Sequence, residues 1–216
     1  MNIAHQPARA APPHILTLVS IAAIGPLAMN VFLPSLPGMA RYFEVDYRVI
    51  QLLVSLYLVA IAATQLVVGP LSDRYGRRPV LLGGMCIFAL STVASLFAPN
   101  IETLIGARVL QGFAGAVMTP QVLAIAQVTF PPEERGLAFS FFGLSAGLAA
   151  VSGPILGGVL IGADLWGLDW RPIFLVNIPI GVLAVVAGAF LIPRTPGHPQ
   201  LRNDYVGILI FGSAIV

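Results

Sequence analysis

Arg108 is a lone charge in a long, otherwise uncharged stretch, Thr103 to Pro132. If the stretch is helical, Gln111 lies on the same face at i+3. A guanidinium keeps its proton near neutrality, so its chemistry here is electrostatic. It can hold water, or lower the pKa of a carboxylate beside it. The bland alternative is an arginine near a helix end that snorkels to the surface. A second charged group stands at Gly69-Pro70-Leu71-Ser72-Asp73-Arg74-Tyr75-Gly76-Arg77-Arg78-Pro79, one acid among three arginines. Asp73 can pair locally or cap a helix. Gly76 permits a tight turn, and Pro79 suits the first turn of a following helix. Gly69 and Pro70 are expected to end the helix before it. Small residues recur at Gly143-x-x-x-Gly147 and at Gly153-Pro154-Ile155-Leu156-Gly157-Gly158. Such spacing lets helices approach closely, and Pro154 bends its helix by removing a backbone donor. Tyr57, Thr64 and Gln65 can face a cavity or hydrogen-bond a neighbouring helix.

The elements that must hold these groups follow from composition. Hydrophobic residues make up 57% and charged residues 9%, against about 25% charged in an ordinary soluble domain. So few charges cannot build a water-soluble surface. A bilayer core of roughly 30 Å needs about 20 mostly apolar residues to cross it. Six uncharged or nearly uncharged stretches meet that length: Ile15–Leu36, Val49–Leu71, Pro79–Asn100, Thr103–Pro132, Gly136–Ala163 and Pro172–Pro193. A seventh begins at Tyr205 and runs to Val216. These stretches do not alternate in polarity as barrel strands would, and lone strands cannot satisfy their backbone in lipid. The reading is an all-α membrane protein with a six-helix transmembrane bundle.

There is no lysine, so arginine alone sets the topology. With a cytoplasmic N-terminus, Arg9, Arg74, Arg77, Arg78, Arg135, Arg194 and Arg202 fall inside, and Arg41, Arg48 and Arg171 outside. That is the positive-inside bias, and Arg77 and Arg78 then anchor at the inner interface. It also accounts for the basic balance without nucleic acid. The first apolar run is too long for a signal-peptide h-region and reads as a retained helix. Cys86 is the single cysteine, inside the third stretch, and has no disulfide partner. Glu133, Glu134 and Arg135 form a short charged loop that can stay solvated or meet the arginine cluster. His5, His14 and His198 lack ligand spacing. No metal site, nucleotide loop or catalytic triad is visible, so no enzyme is expected.

The loop at Gly69–Pro79 resembles the signature loop of the major facilitator superfamily, G-x-L-x-D-R-x-G-R-R/K-x. The resemblance implies a conformational gate in which Asp73, Arg74, Arg77 and Arg78 form a charge network broken and remade between two halves, with Gly69 and Gly76 shaping the loop. Arg108, Gln111 and Gly112 are similar to the R-x-x-Q-G motif of proton-coupled antiporters, which implies a proton-coupling role. Gly153, Pro154, Gly157 and Gly158 resemble the G-P-x-x-G-G antiporter motif. Trp170-Arg171-Pro172 through Gly181 resembles the start of the sixth span in fourteen-helix drug antiporters. Gly25-Pro26-Leu27 through Pro37 is similar to the Bcr/CflA-type twelve-helix branch. Many members of that branch carry an acid in this span. Here no acid lies between Ile15 and Leu36, and Asn30 stands nearby.

The implied protein is a transporter that exports drug-like small molecules against protons by alternating access. Its partners are the lipid bilayer, a hydrophobic or amphiphilic substrate, protons, and a C-terminal bundle missing from this chain; no cofactor is implied beyond the proton gradient. Asn30, Tyr57 and Gln65 are the candidate substrate-cavity residues. The expected organisation is a cytoplasmic tail (1–13), a six-span N-terminal bundle (14–193), a cytoplasmic linker (194–204) and the start of a seventh span (205–216), in a multi-pass protein of a bacterial inner membrane. Two alternatives stay open: a proton-driven solute importer, and a truncated half that does not transport.

Overall fold

A computed structural model describes residues 15–192. The tail, the linker and the seventh apolar run, with Arg9, Arg194, Arg202, His5, His14 and His198, lie outside the described residues.

Seven helices follow one another: α1 Ile15–Phe32, α2 Leu36–Tyr42, α3 Tyr47–Tyr75, α4 Arg77–Leu96, α5 Ile101–Thr129, α6 Pro132–Gly162 and α7 Pro172–Leu191. A short 3-10 turn at Leu33–Ser35 joins α1 to α2, so the two run on as a single span from Ile15 to Tyr42. Six helices are therefore long and apolar enough to cross a membrane, and no strand occurs among the described residues. The all-α six-helix bundle read from the sequence is the architecture found.

Prolines mislead at two boundaries. Gly69 and Pro70 do not end α3, which continues to Tyr75. Proline removes one backbone donor, and lipid offers no water to stabilise unwound backbone, so a helix runs through it. The Ser72 hydroxyl donates to the Gly69 carbonyl at 2.8 Å within the continued helix. The first span also overruns its expected end at Leu36. Pro34 and Pro37 sit in the opening turns of the 3-10 segment and of α2, where a missing N–H costs nothing. Two caps fix the starts of α3 and α5. Asp46 Oδ1 accepts from the Arg48 N–H at 2.7 Å, and Asn100 Oδ1 accepts from the Thr103 N–H at 2.9 Å.

The main packing pairs are α1 with α6, α3 with α5, α4 with α5, and α4 with α7. Two three-span repeats would match α1 with α5, α3 with α6, and α4 with α7. That exchange turns the α1–α6 pair into the α5–α3 pair and maps α4–α7 onto itself. The pattern fits an inverted-repeat bundle.

The buried apolar side chains form two clusters. One, toward the arginine-rich end, includes Leu18, Phe88, Ala114, Met118 and Val122. The other, toward Trp170, includes Phe32, Met39, Leu53, Leu104 and Phe174. Large apolar side chains such as Leu148, Val151, Leu183 and Phe190 remain exposed on the outside, as lipid-facing helices require.

Candidate functional site

A polar layer lies between the two apolar clusters. Along α5, Leu104 belongs to one cluster and Ala114 to the other, with Arg108 and Gln111 between them. Along α4, Thr92 falls between Phe88 and Leu96 in the same way. Arg108 is 1% exposed. Its Nη1 donates to Gln111 Oε1 at 2.6 Å, and Gln111 Nε2 donates to Thr92 Oγ1 at 2.7 Å. The Thr92 hydroxyl itself donates a hydrogen bond to the Phe88 carbonyl, also at 2.7 Å. The guanidinium carbon stands 4.1 Å from the Phe32 ring centre and 4.2 Å from that of Tyr57. Each ring presents its negative face to the cation, an attraction strengthened by desolvation. Arg108 therefore does not snorkel, and α1, α3, α4 and α5 all contribute to its surroundings. It forms no ion pair among the described residues.

Beside this layer is a cavity of about 240 Å³ lined by Gly25, Pro26, Met29, Tyr57, Ile61, Gln65, Gly115, Ala116 and Thr119. Tyr57 and Gln65, both candidates from the sequence, meet there. Asn30 does not line it. Its Nδ2 donates to the Pro26 carbonyl of its own helix at 2.7 Å. Thr64 likewise bonds back to Ala60 at 2.7 Å and is buried.

Glycines close the two helix pairs that frame the site. A Cβ on Gly112 would stand 2.6 Å from the Tyr57 carbonyl oxygen, so α5 lies directly on the α3 backbone. On α6, a Cβ on Gly153 would meet Asn30 at 2.4 Å, and one on Gly157 would meet the Val31 carbonyl oxygen at 2.3 Å. Gly158 has nothing within 4 Å, and Pro154 is exposed. Gly143 and Gly147 also have nothing within 4 Å. The expected close approach through that pair is not made; the α6 contact with α1 uses Gly153 and Gly157 instead.

At the arginine-rich end the charged loop divides into bound and free groups. Arg77 Nη1 donates to the Ala124 carbonyl of α5 at 2.8 Å. Arg78 Nη2 donates to the Ala189 carbonyl in the last turn of α7, where helix carbonyls lack intrahelical partners. Asp73 sits 3.9 Å from Arg77 with a half-exposed side chain. Arg74 lies over the Tyr75 ring at 5.5 Å. Arg135 Nε donates to the Phe130 carbonyl at 3.1 Å, next to its own helix start. Gly69 has nothing within 4 Å. Gly76 holds φ 93° and ψ 146°, and its N–H closes onto the Ser72 carbonyl at 2.8 Å. That backbone region is open essentially to glycine alone, and other residues pay about 1–3 kcal/mol there. Gly76→Ala is therefore expected to lose about that much stability in a detergent melt, while Gly69→Ala, mid-helix with nothing within 4 Å, is expected to lose none.

The sequence matches the Major Facilitator Superfamily over residues 18–209. The chain belongs to this superfamily. The probable actinorhodin transporter of Streptomyces coelicolor is 40% identical over 167 residues, covering 77% of this chain and 29% of that protein. The riboflavin transporter RibZ of Clostridioides difficile is 32% identical, covering 82% and 38%. The tetracenomycin C resistance and export protein of Streptomyces glaucescens is 28% identical, covering 99% and 40%. The matched segment is thus under half the length of each of these relatives. A crystal structure of the peptide transporter POT with sulfate superposes with a TM-score of 0.75 at 14% identity, over 96% of this chain and 47% of that one. At that identity the likeness bears on fold alone.

Within this superfamily member, two contributors to the arginine site carry no signal in the sequence. Phe32 reads as one more apolar residue near the end of the first span, and Thr92 as a small polar residue that could bond its own helix. Only the crossing of α1, α3, α4 and α5 brings them to Arg108. Trp170 is fully buried, and Arg171 beside it donates to the Tyr42 hydroxyl at 3.0 Å and the Leu96 carbonyl at 3.2 Å. This aromatic cluster packs the bundle end opposite the arginine loop.

Proposed function

We propose that the protein built on this bundle exports hydrophobic or amphiphilic small molecules in exchange for protons by alternating access. The observation that carries this is the fully buried Arg108, held in a polar layer next to an apolar cavity. A charge kept inside a membrane bundle is costly and marks a functional position by default. Arg108, Gln111 and Gly112 form the coupling site in this reading. Gly153 and Gly157 keep α1 and α6 packed as a rigid pair, and the cavity with Tyr57 and Gln65 belongs to the substrate path. The bundle works against a second, C-terminal bundle. Residues 1–13 and 194–204 are cytoplasmic segments, 14–193 is the N-terminal bundle, and 205–216 begins a seventh span. Arg77 and Arg78 stay bound to α5 and α7, whereas Asp73, half-exposed and only loosely paired with Arg77, and Arg74 engage the opposing bundle and gate the inner face.

Everted membrane vesicles loaded with a proton-sensitive dye test the direction and the coupling. Adding substrate to vesicles holding the whole protein is expected to discharge a preformed proton gradient. Uptake into intact cells driven by an inward proton gradient would instead favour import. Asp73→Asn is expected to slow turnover several-fold in the same vesicles while substrate affinity holds. Unchanged turnover would remove the gate from the account.

A further inference from the structure

The Arg108 guanidinium has one edge that the protein does not use. The Phe32 and Tyr57 rings lie against its central carbon at 4.1 and 4.2 Å. Nη1 is bonded to Gln111. Nε and Nη2 are buried and have no hydrogen-bond partner among the described residues. Those two nitrogens share one edge of the planar group and point their N–H bonds in parallel. They form the fork that accepts a carboxylate in bidentate fashion.

No acid of the bundle reaches this edge. The acids of the described residues are Glu44, Asp46, Asp73, Glu102, Glu133, Glu134, Asp164 and Asp169, and all lie at helix ends or in connections. Glu102 is the nearest along α5, but it is exposed and six residues away, roughly 9 Å along the axis. The charge facing the interior is thus a single fixed cation. Tyr57 is the wall that Arg108 shares with the cavity, since its ring covers the guanidinium and also lines the space held by Pro26, Met29, Ile61 and Gly115.

We infer that the Nε–Nη2 edge of Arg108 is a subsite for an organic carboxylate, so that the substrates are apolar molecules bearing an acid group. The apolar body lies in the cavity, and the acid reaches the fork when the Tyr57 ring swings aside. A neutral analogue leaves the fork unpaired and loses the charge-assisted bonds. A cationic analogue meets a like charge in a desolvated site. This inference names the substrate class of the site proposed above, and rests on that reading only in taking the cavity as the substrate's.

Equilibrium dialysis of the whole protein in nanodiscs tests it, with radiolabelled 2-naphthoate as probe. Unlabelled 2-naphthoate is expected to displace the label at least tenfold better than 2-naphthylmethanol, and 2-naphthylmethylammonium is expected not to displace it. Arg108→Lys keeps the charge and loses the fork, so it is expected to weaken 2-naphthoate binding at least tenfold with an unchanged melting midpoint. If that variant misfolds, the three-way competition on the unaltered protein still decides. Equal displacement by the alcohol or the ammonium compound overturns the inference. So does an absence of saturable 2-naphthoate binding, the result expected if a carboxylate of the second bundle fills the fork. Intact binding of 2-naphthoate with no proton-linked efflux would count against the efflux reading and leave the subsite standing.

Discussion

Arg108→Ala is expected to lower proton-linked transport by about a hundredfold or more while the protein still inserts and folds. Arg108 is 1% exposed and joins α5 to α4 through Gln111 and Thr92, and to α1 and α3 through two aromatic rings. Removing it leaves the Gln111 carbonyl without its donor, at about 1–3 kcal/mol, and deletes the only interior cation among the described residues. A hundredfold loss of rate corresponds to about 2.7 kcal/mol. Failed insertion would not explain such a loss, because an arginine near a helix centre itself opposes insertion by about 2.5–3.5 kcal/mol. Initial rates compared at matched amounts of inserted protein check the prediction, and a variant running at full rate contradicts it.

The second large effect separates neighbouring residues of one motif. Gly157→Ala is expected to cost about 3 kcal/mol or more, at or beyond the upper end of ordinary overpacking, because the new methyl group would stand 2.3 Å from the Val31 carbonyl oxygen. That obstacle is backbone and cannot rotate away, so α1 and α6 must separate. Gly158→Ala meets nothing within 4 Å. It is expected to be neutral or to gain up to about 1 kcal/mol from restricting the unfolded chain. Fluorescence-detected melting in detergent distinguishes them. Similar midpoints for the two variants would show that the α1–α6 contact is not sealed by Gly157.

The spans were legible because lipid demands long apolar helices, a requirement written directly into composition. Their ends were less so. Gly69 and Pro70 look like terminators by the rules of soluble helices, yet α3 continues through them to Tyr75. The arginine site was half visible. Arg108 and Gln111 stand out as polar residues at helical spacing in an apolar run, and Gly112 beside them proves to be a steric contact. Phe32 and Thr92 could not be distinguished from ordinary span residues, since their role depends on how four helices cross. Tyr57 was visible only as a cavity candidate, and its ring turns out to serve the arginine as well. Asn30 shows the converse, a polar residue whose side chain is taken up by its own helix. Among the glycines, spacing alone treated Gly143 and Gly147 like Gly153 and Gly157. Only the second pair faces a neighbouring backbone.

In the proposed transport cycle the buried Arg108 couples substrate movement to protons. Proteoliposomes containing the whole protein, with substrate and proton fluxes recorded in the same sample, test it most directly. With Arg108 present, substrate efflux is expected to be accompanied by proton movement in the opposite direction, and Arg108→Ala is expected to abolish both together. Substrate and proton fluxes that persist unchanged in Arg108→Ala would contradict it.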